Sequence, residues 1–564
     1  MTQSIHAGVL AFARNARNNW KSGITVALVS MPLSVSLAIA GGSTPTAGII
    51  TAVWAGLFAS FFGGSNYNIV GPTGALSGIL ASYALTRGAG VLPTLAVVAG
   101  VFVLIAFALK LHRYLVFIPG SAIHGFTLGV AGIIGLNQLN FAFGLSGLPV
   151  HEKFIENIFE SLRHIGDASL TAGAVFLLGL VLLFGLLKFF PKIPAVLAVT
   201  PPAILLGWLC SAKISPFSLQ TLGDRFPEIS PRIIQPVEWY ADPSVLGIAA
   251  AVAVVAILET MISARIADTM TKTEHNKSRE MLALGLANIA SGLAGGIPAT
   301  AALARTALNV KTGATHRVSA TISSVCIIII SFVFLKYFAF MPLSMVAAIL
   351  VFTAARMVGL QHFGRMLRLE RMSFVLSLVV AGVTLYEDPI VGLLAGTAMT
   401  LVMFVEKLSR GQFELIINDR NKHIISHVTG EQIKNINAGG ETLVYSVRGE
   451  LAYINAQAHL ERFKHQLAGY GTVVLRLREL FFVDLDGVDA LADLIDFVKQ
   501  NGKEIVISGA NPLILSMLEG NAPFQELKKE GKIFDHTAQA LEYLGFHVVN
   551  AHGKNSSSGL PALA

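Results

Sequence analysis

The sequence predicts an all-α membrane domain of about 14 spans in a 7+7 inverted repeat, followed by a small α/β domain. Three observations carry this expectation. Apolar segments long enough to cross a ~30 Å hydrocarbon core recur from about residue 22 to residue 407. Two of them are broken by Gly and Pro at corresponding places, the pattern of paired interrupted helices in a repeated fold. After Lys407 the composition changes to that of a soluble domain. Of the 564 residues 53% are hydrophobic and only 13% charged, with mean hydropathy +0.65, against ~25% charged in soluble domains.

Residues 1–21 form an N-terminal segment carrying Arg14, Arg17 and Lys21 ahead of an apolar run. That run continues past Ile39 without a convincing cleavage site, so it reads as the first span and not as a signal peptide. The spans centre near residues 31, 54, 79, 101, 128, 179, 203, 255, 287, 305, 326, 349, 379 and 397 and fill a transport domain over 22–410. Pairing the span near 31 with that near 255, and 79 with 305, gives two repeats of about seven. An odd number per repeat inverts their topologies. Lys110, Arg113, Lys188, Lys192, Lys272, Lys277, Arg279, Lys311, Arg317, Arg365, Arg368 and Arg371 fall in loops on one side. Loops on the other balance their bases with Glu152, Glu156, Glu160, Asp224, Glu228 and Glu238. The excess of Lys and Arg places both termini in the cytoplasm of a multi-pass protein of the cell inner membrane. The net charge of +7 is spread between apolar spans instead of forming one patch, which argues against nucleic acid. Cys210 and Cys326 both lie in apolar runs and read as packing residues. No metal or other cofactor is expected, and the chain contains no Gly-x-x-x-x-Gly-Lys-Ser/Thr phosphate loop, so it reads as neither an enzyme nor an ATP-driven pump.

From about 411 to 548 the pattern is α/β, with strands at Thr442–Val447, Val473–Leu477 and Glu504–Ser508 and helices at Ala456–Leu467 and Val488–Asn501. Residues 549–564, rich in Ser and Gly, read as a disordered tail.

The centre of the chain is Gly295-Gly-Ile-Pro298-Ala-Thr300-Ala301-Ala302-Leu-Ala-Arg305-Thr306. Charge near a bilayer centre costs roughly 2.5–3.5 kcal/mol on the lenient insertion scale, so Arg305 needs an ion path or a partner. Pro298 predicts a short helix starting nearby, whose free N–H groups form an anion-binding end. Gly71-Pro72-Thr73-Gly74-Ala75-Leu76 repeats the shape in the first half.

Gly71-Pro-Thr73, the run from Leu258-Glu259 through Ala267-Asp268, Gly285-Leu-Ala-Asn-Ile-Ala-Ser291 and Gly295 to Asn309 together resemble the sulfate permease (SulP) family of anion transporters. The C-terminal part is similar to that family's STAS domain. The resemblance implies core and gate domains, a pocket between the third and tenth helices, elevator-like movement, and usually a homodimer. It makes the substrate-binding candidates Thr73, Gly74, Ala75, Thr300, Ala301, Ala302, Arg305 and, from the first span, Ser34. A guanidinium stays ionised and offers a planar fork of donors to an oxyanion. Thr73 and Thr300, near the helix starts, have hydroxyls that can either contact ligand or cap backbone donors. The first span has Leu33 after Pro32 where many relatives have Gln.

Glu259, with Ser263 one turn later on the same face, is the coupling candidate. In the family's sodium-coupled bicarbonate transporters an acidic residue of this helix and the tenth helix build a sodium site. Here the tenth helix offers Ala302-Leu303-Ala304-Arg305, and a hard cation needs oxygen ligands, so proton symport or anion exchange is preferred to sodium. In the STAS part Val483-Asp-Leu-Asp486-Gly487 resembles a loop bearing a phosphorylatable Ser, with Asp486 in that position, and the domain can dock a cytoplasmic protein. The expected function is secondary active transport of a small inorganic anion, bicarbonate first and sulfate next. The alternatives are a sodium-coupled bicarbonate symporter, a dicarboxylate or nucleobase transporter, and an anion channel or STAS-linked regulator.

Overall fold

In this computed structural model residues 2–546 are described, apart from 112, 114–118, 150, 152–153, 192, 215–216, 227–228, 241, 388, 410–411, 419–423, 430–441 and 467–469. Glu152, Lys192, Glu228 and the tail 549–564 therefore lie outside the described residues. The chain forms two compact units, Met1–Thr400 and Leu401–Ala564.

The first half of the membrane unit runs α1 (Thr2–Ala40), α2 (Pro45–Phe62), the short strand β1 (Val70–Gly71), α3 (Gly74–Arg87), α4 (Leu92–Ala108), α5 (Gly120–Leu136), α6 (Leu139–Phe143), α7 (Phe154–Arg163), α8 (Leu170–Phe189), α9 (Ala195–Ser211) and α10 (Leu222–Arg225). The second half runs α11 (Ser244–Thr271), α12 (Lys277–Leu293), β2 (Thr300–Ala301), α13 (Leu303–Lys311), α14 (Val318–Phe338), α15 (Leu343–Met357), α16 (Leu360–Leu369), α17 (Arg371–Tyr386) and α18 (Pro389–Ser409). Each of the fourteen expected centres falls inside one of these helices. Among the described residues nine helical segments are long and apolar enough to cross a membrane unaided, and α9 and α17 are shorter apolar helices. The 14 residues of α3 and the 9 of α13 reach only about 21 Å and 14 Å at the helical rise, so neither spans a ~30 Å hydrocarbon core by itself.

Packing divides the unit as the resemblance implies. Helix α12 lies against α4 and α2, and α1 against α14, while α5 packs on α17 and α15, and α8 on α15. Small residues permit the closest of these contacts, which in lipid depend on van der Waals fit. A Cβ on Gly100 of α4 would stand 2.7 Å from the carbonyl oxygen of Gly285 in α12.

The second unit has a seven-stranded sheet in the order β4-β3-β5-β6-β8-β9, with β7 paired to β5. Here β3 is Gln412–Asn418, β4 Ile424–Thr429, β5 Thr442–Leu451, β6 Thr472–Arg476, β7 Leu480–Val483, β8 Glu504–Ser508 and β9 Ile533–Phe534. Strands β5, β6, β8 and β9 are parallel, and β3 is antiparallel to its neighbours. Alternation along β5 puts Leu443, Tyr445 and Val447 into the main core and Val444 into a smaller one with Val474 and Val506. The helices are α19 (Ala456–Gln466), α20 (Leu485–Gln500), α21 (Pro512–Leu518), α22 (Ala522–Lys529) and α23 (Thr537–Tyr543). Helix α20 is capped by Asp484, which accepts from the Gly487 N–H at 2.9 Å and also from the Tyr453 N–H at 2.9 Å. Asp486 is exposed in the first turn, where its charge suits the helix dipole.

Candidate functional site

The site begins with backbone that is neither helix nor ordinary loop. Pro298 does not start a helix, contrary to the expectation from sequence. The chain stays extended through β2, and α13 begins at Leu303. In lipid every buried backbone group needs a partner, and side chains of neighbouring helices supply them. Asn288 of α12 works like a strand edge: its Nδ2 donates to the Ala299 carbonyl at 2.9 Å and its Oδ1 accepts from the Ala299 N–H at 2.8 Å. The Ile297 N–H donates to Thr51 Oγ1 at 2.7 Å, and Ser291 Oγ donates to the Ile297 carbonyl at 2.8 Å. Thus satisfied, residues 300–301 pair antiparallel with β1, Val70 opposite Ala301 and Gly71 opposite Thr300. This two-residue ribbon brings the first and second halves together where α3 and α13 begin.

The ribbon changes which groups are available. The Ala301 N–H donates to Thr260 Oγ1 at 3.1 Å and the Ala302 N–H to the Ile69 carbonyl at 3.0 Å. These two expected anion donors are therefore engaged in holding the fold. Thr300 Oγ1 donates to the Ala256 carbonyl at 3.0 Å and lies 2.9 Å from Thr260 Oγ1, so it ties the ribbon to α11. The first-turn amides of α13, ahead of the Thr306 N–H bond to the Ala302 carbonyl, are instead those of Leu303, Ala304 and Arg305, of which Leu303 and Ala304 are exposed residues. On the opposing segment Thr73 is the N-cap residue of α3 but caps nothing with its hydroxyl. It donates to Glu259 Oε2 at 2.9 Å. The first-turn amides of Gly74 and Ala75 stand at the start of α3, where a Cβ on Gly74 would come 2.5 Å from Met357 Sδ of α15.

Arg305 is 2% exposed. Its Nη2 donates to the Pro72 carbonyl at 2.5 Å and its Nη1 to Ser34 Oγ of α1 at 3.4 Å. Among the described residues no carboxylate lies within 4.0 Å of it; Glu259, half-buried on α11, is bonded to Thr73 instead. The ribbon, the first span and the guanidinium thus meet, without a closed Arg305–Glu259 pair. Ser263 faces elsewhere, fully buried 3.0 Å from Asn68 Oδ1 and 2.9 Å from Thr306 Oγ1.

Sequence reasoning missed the carboxylate that anchors the segment before β1. Glu280 is 3% exposed and accepts from the Gly64 N–H at 2.7 Å, the Ser65 N–H at 2.8 Å and Asn68 Nδ2 at 2.6 Å. Lys277 and Arg279 beside it read as loop cations, and Glu280 itself was not singled out. The signal was that Glu280 opens the apolar run Met281–Leu286.

Two short helices that begin beside one another from opposite halves of an inverted repeat, with a buried cation between them, are the arrangement of a multi-pass membrane transport protein. The chain belongs to the sulfate permease family: residues 17–380 match the model described as "Sulfate permease family", and residues 431–540 that of the STAS domain. YvdB of Bacillus subtilis (strain 168) is 30% identical over 521 residues, covering 91% of this chain and 95% of that one. The bicarbonate transporter BicA of Picosynechococcus sp. is 25% identical over 522 residues, covering 88% and 89%. The fold is that of the murine Solute Carrier 26 family member A9 anion transporter in its inward-facing state, at TM-score 0.78, 15% identity and 94% and 91% coverage.

Proposed function

We propose that the chain is a secondary active transporter of small inorganic anions, with bicarbonate the favoured substrate and sulfate next. The observation that carries this reading is the convergence of the α3 and α13 N-termini on a buried Arg305. Two positive helix ends and one guanidinium create a resting place for negative charge, and they disfavour a neutral ring. Bicarbonate is supported by the likeness to BicA, sulfate by the family description. The anion contacts are the amides of Gly74, Ala75, Leu303 and Ala304 together with Arg305, while Thr73, Ser34, Thr300, Ala301 and Ala302 hold the geometry. Glu259, linked to α3 through Thr73, balances or couples charge by taking up a proton. Sodium is disfavoured because the Ala302-Leu303-Ala304 stretch offers no side-chain oxygen and Arg305 repels a cation. Transport proceeds by an elevator-type shift of core against gate, in a homodimer of the inner membrane with cytoplasmic termini, and the STAS domain offers a docking place for a cytoplasmic protein.

The test is uptake of radiolabelled bicarbonate, sulfate and fumarate into proteoliposomes, with sodium and pH gradients varied separately. Saturable bicarbonate or sulfate uptake without sodium is expected, and its loss in an inserted Arg305→Ala protein. An absolute sodium requirement would overturn the coupling assignment, and normal uptake by the variant would overturn the site.

A further inference from the structure

The carried anion is assigned to one side of Arg305, and the other side has its own cavity. It is bounded by Ser30 of α1, Gly56 of α2, Val70 of β1, Ser323 and Ser324 of α14, and Arg305. Ser30 is 1% exposed, and Ser323 and Ser324 are each 2% exposed. Among the described residues the Ser30 and Ser323 hydroxyls have no hydrogen-bond partner. The Ser324 hydroxyl reaches only the Ala52 carbonyl, at 3.5 Å. Gly56 keeps the space open, since a Cβ there would run into Ser324 Oγ.

Buried hydroxyls left unpaired are costly, and so is a buried guanidinium with no carboxylate within 4.0 Å among the described residues. Arg305 has five N–H donors, and the Pro72 carbonyl and Ser34 hydroxyl are the acceptors that meet them. The groups facing the cavity are thus rich in donors and carry positive charge. A water molecule would satisfy the hydroxyls but supply no charge. A monatomic anion accepts from every direction and supplies both, and the space is that of a single small occupant.

We propose that this cavity is a second anion site, holding one resident halide such as chloride behind Arg305. It keeps the guanidinium compensated whenever the front of the site stands empty, and it does not rest on which anion is carried.

The full chain, purified without chloride, is crystallised with sodium bromide, and anomalous scattering is recorded. A bromide peak within hydrogen-bonding distance of Ser30 and Ser323 is expected; density with no anomalous signal would overturn the proposal. In parallel the Tm is followed against chloride concentration at constant ionic strength, with gluconate making up the balance so that no inorganic oxyanion fills the front of the site. Chloride should raise the Tm of the wild type, and a Ser30→Ala, Ser323→Ala double variant should need at least tenfold more chloride for the same shift. An unchanged chloride response in that variant would equally sink the idea. The bromide measurement uses only wild-type protein and stands if the variant fails to fold. Failure of the transport reading shows separately, as absence of uptake.

Discussion

At the scale of the residue, Arg305 is held by its shape as much as by its charge. One edge of the fork takes the Pro72 carbonyl and Ser34, leaving the rest of the group for an anion. A lysine preserves the charge but offers a point donor on a flexible stem. Hydrogen bonds to charged groups contribute about 1.5–3 kcal/mol, so Arg305→Lys should lose roughly ten- to a hundredfold in saturable uptake while still inserting, and wild-type uptake would show that the fork is not used. In the STAS unit His459 gives a second prediction. Its Nδ1 lies 2.9 Å from the Tyr445 hydroxyl. Burial, and secondarily the Arg462 charge, hold its pKa down at about 4 against an ordinary 6.5. Above the ordinary value neither the folded nor the unfolded form carries the proton. As pH falls from there to about 4 the unfolded chain takes up a proton that the folded one refuses, so stability drops by at most about 1.4 kcal/mol per pH unit, and no further below. The STAS unfolding transition of the full chain should therefore shift down between pH 7 and pH 5, and shift less in His459→Gln.

At the scale of the element, the two-residue ribbon depends on side chains that replace an ordinary strand neighbour. Asn288→Leu removes both partners of Ala299, each worth about 1–3 kcal/mol when left unmet in a buried place. Thermal unfolding of the purified variant should show a clear drop in Tm, and Asn288→Asp, which keeps the acceptor and loses the donor, should fall between. An undiminished Tm in Asn288→Leu would mean that the ribbon holds itself. The helices around it were legible because an apolar stretch in lipid has one economical backbone state, so every expected centre landed in a helix. The start of α13 was not. Pro298 carried a local signal for a helix start, but the bonds that keep residues 297–301 extended come from Thr51, Asn288 and Ser291, which no local pattern ties to them. Arg305 and Glu259 stood out because charge is rare in such surroundings. The free amides of Leu303 and Ala304 did not, because their availability depends on where the helix begins.

At the scale of the whole molecule, the assigned orientation makes opposite predictions for two surface arginines. Arg163, at the end of α7, should lie outside, and Arg365, in α16, inside; both are exposed. In a background lacking Cys210 and Cys326, an impermeant thiol reagent added to intact cells should modify Arg163→Cys and spare Arg365→Cys until the membrane is opened. The reverse pattern would invert the topology. The ribbon also orders the making of the protein. Val70 and Gly71 meet their partners only when Thr300 and Ala301 have been synthesised, more than two hundred residues later. Until the tenth span leaves the ribosome, the break ahead of α3 sits among lipid or helices with part of its peptide hydrogen bonding unfulfilled, at several kcal/mol per group. The first half of the chain is thus an unfinished insertion product, and the nascent second half closes it.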